Sequence, residues 1–424
     1  MPAMPVAPAA RGPIIPRPWL VLGLLTAFWG LVGLNRLGIS YLFPVIIPEF
    51  GLTYTQASLL ISGTSLAWAF SSWLAGWLSD RHGRRAVLIP GATLACVSTA
   101  AMGGTWNFWS MFVVREFVGL GDGVGWPNAQ AVLAAEFPAK RRALVQSIFT
   151  AGYPLFGSVL GAVIITRMAD AFGWRPVWPI IGGVFLLVVL GLYVVMREPA
   201  RPAGKEEKPG LLEALKVVRN RRVVALMIVQ SGALGWLQVS VAFNAVFLTD
   251  ARGLSLVDAG SVLAVFGLAT LTGTLVLPTV SDYIGRRTML VGAGLASGVF
   301  LTFYVLGGFG VVMSAALLAA SGFFQGVLVP LGSATCVVEQ VPARIQATAM
   351  GAVNFAGVII GTTLLPIIGG QLGDRLGLTA PMLLAAGAVA VAGLAAMSVQ
   401  ETAPRLVARR KAAMPEGAAD GLKA

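Results

Sequence analysis

Twelve apolar runs, each long enough to cross about 30 Å of hydrocarbon in roughly 20 residues, fill most of this 424-residue chain. Their approximate limits are 19–47, 55–78, 86–105, 107–135, 143–167, 175–196, 221–249, 256–280, 288–307, 309–337, 346–371 and 378–399. Backbone polar groups in lipid must be satisfied within their own segment, so each run is expected to be a helix. Only 11% of residues are charged, against about 25% in soluble domains, and a water-soluble globule is excluded. The net charge of +12 lies in short clusters between the runs, which fits a membrane protein and not a nucleic-acid stripe. Cys96 and Cys336 both lie in apolar runs and read as small buried hydrophobes.

Lys and Arg fix the expected orientation. With the N-terminus inside, 24 fall in cytoplasmic segments and four (Arg167, Arg175, Arg252 and Arg375) outside. Both termini are therefore expected in the cytoplasm, with the chain in the cytoplasmic (inner) membrane. Residues 1–18, with Arg11 and Arg17, lack an apolar region ending in a cleavage site and read as a cytoplasmic tail rather than a signal peptide.

The spans divide six and six, and the halves repeat one another. Gly51-Leu52-Thr53-Tyr54-Thr55-Gln56 recurs as Gly253-Leu254-Ser255-Leu256-Val257-Asp258, where Thr53 with Gln56 and Ser255 with Asp258 have capping-box spacing. Ser79-Asp80-Arg81-His82-Gly83-Arg84-Arg85 recurs as Ser281-Asp282-Tyr283-Ile284-Gly285-Arg286-Arg287, and Phe137-Pro138-Ala139-Lys140 as Val341-Pro342-Ala343-Arg344. The expected organisation is a tail (1–18), a six-helix bundle (19–199), a basic linker (200–220), a second six-helix bundle (221–402) and a tail (403–424).

Gly76-Trp77-Leu78-Ser79-Asp80-Arg81-His82-Gly83-Arg84-Arg85 resembles the G-x-x-x-D-R-x-G-R-R signature of the major facilitator superfamily of secondary transporters, and the resemblance spans roughly residues 19 to 402. It implies an all-α membrane protein of twelve transmembrane helices in two pseudo-symmetric bundles. It also implies a gate at Gly76, Asp80, Arg81, Gly83, Arg84 and Arg85, with Asp282, Gly285, Arg286 and Arg287 as their repeat. Asp80 would latch the cytoplasmic side of the halves when the cavity faces out. The alternative is that these charges fix topology. His82, the sole histidine, reads as a solvated loop residue.

Ionisable groups at mid-span cost at least ~2.5 kcal/mol and mark functional candidates. Arg36, Arg115, Glu116 and Asp122 lie there, all in the first half, whereas spans 7 to 11 offer neutral groups such as Gln230, Gln238, Asn244, Gln325 and Asn354. Arg115, Gly119, Asp122 and Trp126 share one helical face, with Arg115 and Asp122 about 10 Å apart along the axis.

Arg115-x-x-x-Gly119-x-Gly121-Asp122-Gly123-x-x-x-Pro127 resembles the fourth span of the anion:cation symporter branch, which takes up organic acids with protons. That resemblance implies substrate binding by Arg36, support from Arg115, the coupling proton on Asp122, and a substrate-facing Asn354. The branch's first-span acid is replaced by Asn35. Tyr153 and Gln238 complete the candidate substrate-binding set with Asn35; Tyr41, Tyr153 and Trp236 read either as cavity aromatics or as packing. The expected partners are a small organic acid, protons and lipid, with no nucleic acid, cofactor, metal or enzymatic constellation, and one chain is expected to work alone.

Other readings share this fold. A drug/proton antiporter normally carries Gly-Pro followed by Gly-Gly in span 5, where this chain reads Gly152-Tyr153-Pro154-Leu155-Phe156-Gly157. A phosphate-ester exchanger calls for an arginine in span 7, and residues 223–249 contain none. A non-transporting sensor needs a signalling region that neither tail nor linker is long enough to fold.

Overall fold

The computed structural model describes residues 17–198, 220–342, 345–403 and 406. Apart from Arg17, Pro18, Asn220, Ala403 and Leu406, the expected tails and linker lie outside the described residues, as do Pro199, Ala343 and Arg344. Helices α1 (Arg17–Phe50), α2 (Tyr54–His82), α3 (Arg84–Gly104), α4 (Phe108–Gly123 continuing as Gly125–Glu136), α5 (Ala139–Pro154 continuing to Phe172) and α6 (Trp174–Val195) form the first half. The second half consists of α7 (Arg221–Ala251), α8 (Leu256–Ile284), α9 (Arg286–Leu306), α10 (Val311–Gln340), α11 (Gln346–Ala356 continuing to Leu376) and α12 (Thr379–Ser398). Ten are long and apolar enough to cross a membrane by length and composition; α2 and α4 complete the twelve. No strand occurs among the described residues.

The loop motifs act as helix punctuation. Thr53 Oγ1 accepts from the Gln56 N–H (3.1 Å) while Gln56 Oε1 accepts from the Thr53 N–H (2.9 Å), closing a capping box at the start of α2. Ser255 caps α8 through the Asp258 N–H at 3.1 Å. Gly83 (φ +102°) and Gly285 (φ +110°) make the α2/α3 and α8/α9 turns in a region closed to side chains. In α4 the helix breaks at Val124, so Pro127 falls in the first turn of the second piece, where a missing N–H is harmless. Segments of π-helix follow Pro154 in α5 and Pro330 in α10.

Among the described residues the halves meet at one end only. A continuous apolar core runs from Leu34–Ile46 of α1 and Ala57–Ile61 of α2 into α7, α8, α9 and α10. The other ends of α1 and α4, with Val21–Val32 and Val124–Phe137, pack into a separate core confined to the first half. The joined end is far from the Arg-rich loops and is called here the far end; the other is the basic end. At the far end, Gly370 of α11 lies against Thr55 and Tyr54 of α2, a Cβ there coming within 2.7 Å of both backbones. Ser62 Oγ donates to the Thr363 carbonyl at 3.1 Å, and Gly267 of α8 packs on the Ser158 backbone of α5.

Candidate functional site

Arg36 and Arg115 converge where the halves meet, about half-way along α1 and a quarter of the way along α4. Both border a cavity of about 10 Å³, together with Ser65 and Tyr153 from the first half and Gln238 and Val241 from the second. That volume lies below the ~300–1,000 Å³ of ligand pockets, so an organic solute fits only if the halves separate further. Arg36 is half-buried: one Nη donates to Ser65 Oγ at 3.0 Å, and its guanidinium lies 5.2 Å from the Trp68 ring centroid. Arg115 is 1% exposed and donates through Nη1 to the Asn35 carbonyl at 3.1 Å, leaving Nε without a partner. Gln238 Nε2 reaches Ser65 Oγ at 3.4 Å across the junction. Both charged liners are cationic; among the described residues, no carboxylate borders the cavity.

Asp122 is fully buried on the Arg115 face of α4, and neither carboxyl oxygen has a hydrogen-bond partner among the described residues. Arg36 and Arg115 are the cations that act on it. Glu116, on α4 beside Arg115, packs against Gly63 of α2 with Oε1 buried and unpartnered. Uncompensated buried charge is expensive, so these two carboxyls and the arginine pair form one electrostatic unit.

Of the residues singled out in the sequence, the structure brings Arg36, Arg115, Tyr153 and Gln238 to the cavity. Asn35 enters through its carbonyl, while its buried amide is unpartnered. Asn354 is exposed, donates to the Met350 carbonyl at 3.0 Å, and stands apart from the lining. Tyr41 is buried and donates to the Gly157 carbonyl at 3.0 Å; Trp236 is buried against Phe266. Sequence reasoning missed Ser65, which joins Arg36 to Gln238. Its signal is the 4, 3 spacing of Ser58, Ser62 and Ser65, a polar stripe along one face of α2.

At the basic end, among the described residues, Asp80, Arg84, Arg85, Asp282, Arg286 and Arg287 make their contacts within their own halves. Asp80 pairs with Arg84 at 2.7 Å, and Arg81 lies 3.9 Å over the Trp77 ring. Glu198 accepts from the Arg84 and Arg85 N–H groups (2.5 and 2.9 Å), capping α3, and Arg85 donates to the Tyr193 carbonyl at 2.7 Å. The second half repeats this: Asp282 pairs with Arg286 (2.7 Å), and Glu401 accepts from the Arg286 and Arg287 N–H groups (2.8 and 3.2 Å). Glu339 adds a further contact to Arg286 at 3.2 Å. A Cβ at Gly76 would meet nothing within 4 Å. His82 is exposed, with Nδ1 at 3.2 Å from the Leu78 carbonyl.

At the far end, a residue the sequence did not single out joins the halves. Asp374 of α11 accepts from the Tyr54 N–H (2.6 Å), the Thr55 N–H (3.0 Å) and Thr55 Oγ1 (2.6 Å), capping α2 from the other half. A carboxylate at a helix N-terminus meets free N–H groups and the positive end of the helix dipole.

Comparison with known proteins places this architecture. The profile described as Major Facilitator Superfamily matches residues 25–359 and 232–419. Over 271 residues the chain is 27% identical to a Multidrug resistance protein MdtG of Salmonella typhimurium, covering 61% of this chain and 66% of that protein, just under two thirds of its length. Over 167 residues it is 29% identical to a probable sulfoacetate transporter, SauU, of Cupriavidus necator, covering 39% of each. Among solved structures, an inward-facing, unoccupied bacterial homolog of the human lysosomal transporter Spinster superposes with a TM-score of 0.76 at 19% identity, covering 92% of this chain and 98% of that one. A mutant of the nucleoside transporter NupG also gives 0.76 at 15% identity, covering 91% and 100%.

Proposed function

The chain belongs to the Major Facilitator Superfamily, and from that premise we propose that it is a secondary transporter that takes up a small organic anion, a carboxylate, together with protons by alternating access. One observation carries the reading: two guanidinium groups, Arg36 and Arg115, border the cavity between the halves with no carboxylate of the described residues beside them. Arginine forks match carboxylates in bidentate geometry. The resemblance to a probable sulfoacetate transporter, whose named solute is an organic anion, supports the same sign of charge.

In this proposal both termini and the Arg-rich loops face the cytoplasm, as the distribution of Lys and Arg requires. The structure then corresponds to a state closed on the outside at Asp374 and parted on the cytoplasmic side. Asp122 carries the coupling proton. Ionised, it competes with the substrate for the arginines; protonated, it leaves them to the anion, and the two solutes become linked through one electrostatic balance. Asn35, in place of an acid, reduces the number of protons carried by that balance.

A second reading, drug/proton export, draws on the similarity to a multidrug resistance protein. Proteoliposomes with an external pH dye separate the two. Sulfoacetate, sugar acids, aromatic carboxylates and dicarboxylates are offered to wild type, Arg36→Ala and Asp122→Asn. The anion reading expects one acid to alkalinise the outside, with loss of this signal in Asp122→Asn but retained substrate exchange. Proton movement driven by cationic dyes and by no acid replaces it with export.

A further inference from the structure

Building on the anion reading, we propose that the transported carboxylate carries an aromatic ring, held against a wall of aromatic side chains on the basic side of the arginine pair. Three half-buried rings make the wall: Trp68 on α2, Trp126 on α4 and Tyr153 on α5. Contacts aim each into the bundle and away from lipid. Trp68 lies under the Arg36 guanidinium. Trp126 packs on Trp29 at 5.0 Å between centroids and on Phe149 at 5.7 Å, and Tyr153 packs on Trp29 at 5.4 Å. Trp29 is only 6% exposed and Phe149 fully buried, so they back Trp126 and Tyr153 from inside the bundle.

Depth makes the arrangement usable by one molecule. Tyr153 borders the cavity itself. Trp68 is one turn beyond Ser65, and Trp29 two turns before Arg36, which places its ring about 10 Å along the axis toward the basic end. A carboxylate on Arg36 and Arg115 therefore puts a directly attached ring beside Trp68 and Tyr153, with Trp126 and its backing Trp29 further toward the basic end. The second half offers neutral and apolar groups here, Gln238 and Val241, and does not compete for the charge. A further sign is Trp68 Nε1, a buried donor with no partner beside the guanidinium, free for an oxygen on the ligand. Aromatic rings prefer offset or edge contacts, each giving roughly a two- to twelve-fold gain beyond area burial.

The test is equilibrium binding by titration calorimetry on the full chain in nanodiscs, with benzoate, cyclohexanecarboxylate, benzamide and benzyltrimethylammonium as probes. Benzoate and cyclohexanecarboxylate share charge and approximate size, so their ratio reads the ring alone. Benzoate is expected to bind about ten-fold more tightly than cyclohexanecarboxylate. In Trp68→Leu and Tyr153→Leu that ratio should narrow toward unity, and being internal to one preparation it is insensitive to the folded fraction. Equal binding of the two acids by wild type overturns the aromatic proposal and leaves the anion reading standing. Binding of benzamide as tight as benzoate, or of benzyltrimethylammonium in place of either acid, overturns the anion reading and this proposal with it.

Discussion

Removing the Asp374 carboxylate should open the far end of the molecule. In the closed state this group accepts three hydrogen bonds from Tyr54 and Thr55, all of which are broken when α2 and α11 part. Hydrogen bonds to a charged group contribute about 1.5–3 kcal/mol each where they are buried, and a carboxylate at a helix N-terminus adds about 0.3–1 kcal/mol. Asp374 is exposed, so water recovers most of this on opening, and a net ~1.5–3 kcal/mol for the set is the reasonable scale. That corresponds to a shift of roughly 10- to 150-fold in the closed-to-open ratio. Thr53 and Gln56 cap α2 independently, so Asp374→Ala should leave the helix intact. The assay is the spin-label distance between cysteines at Trp106 and Val312, far-end positions 74% and 85% exposed, with Cys96 and Cys336 replaced. Asp374→Ala should add a longer-distance population, Asp374→Asn a smaller one. A distribution identical to the parent's in Asp374→Ala refutes the latch.

Other perturbations test the site and the turns. Arg36→Lys keeps the charge but loses the planar fork and the stack on Trp68, and should weaken binding of the transported anion at least about ten-fold by calorimetry, whereas Ser65→Ala, which removes a neutral bridge, should change it less than about three-fold. Gly83→Ala forces a side chain into φ +102° and brings its Cβ to 2.7 Å from the Glu198 carboxyl carbon; it should cost about 2 kcal/mol, measured as a lowered thermal midpoint. Glu198→Gln, which weakens the same cap, should cost about 1 kcal/mol, and the double variant should fall short of the sum because both changes act on one contact.

Residues differed in how readily sequence betrayed them according to what lipid penalises. The twelve helices were legible because a membrane span must be apolar for some 20 residues, and every expected run has a helix over it, with ends displaced by only a few residues. Arg36 and Arg115 stood out because charge at mid-span is expensive. Ser65 was silent: short hydroxyl side chains are common in membrane helices, and Thr64 and Ser65 both return their hydroxyls to carbonyls four residues back. Asp374 was silent for the opposite reason, lying at a helix end where a carboxylate is cheap and draws no notice until its partner in the other half is known. Glu198 and Glu401 lie just after the sixth and twelfth spans, and their role as caps of α3 and α9 depends on chain reversal that spacing alone does not give.

The internal repeat makes the far-end latch one-sided. Phe172-Gly173 after α5 corresponds to Leu376-Gly377 after α11, so Asp170 is the repeat-mate of Asp374. The two interfaces correspond as well: Thr166 of α5 lies against Gly260 of α8, as Gly370 of α11 lies against Ser58 of α2. Yet Asp170 is exposed, and the start of α8 is served from within, Ser255 Oγ accepting from the Asp258 N–H while donating to its carboxylate at 2.7 Å. At α2 the residue in the Asp258 position is Gln56, which carries no charge, so the helix dipole there is left for an anion from the opposite half. Closure of the far end thus rests on a charged contact at α2/α11 and on neutral packing at α5/α8. Moving the acid should move the latch: Gln56→Glu would place a second carboxylate at the start of α2, repel Asp374, and open the far end even with Asp374 in place, whereas Asp258→Asn at α8 should leave the same spin-label distance unchanged.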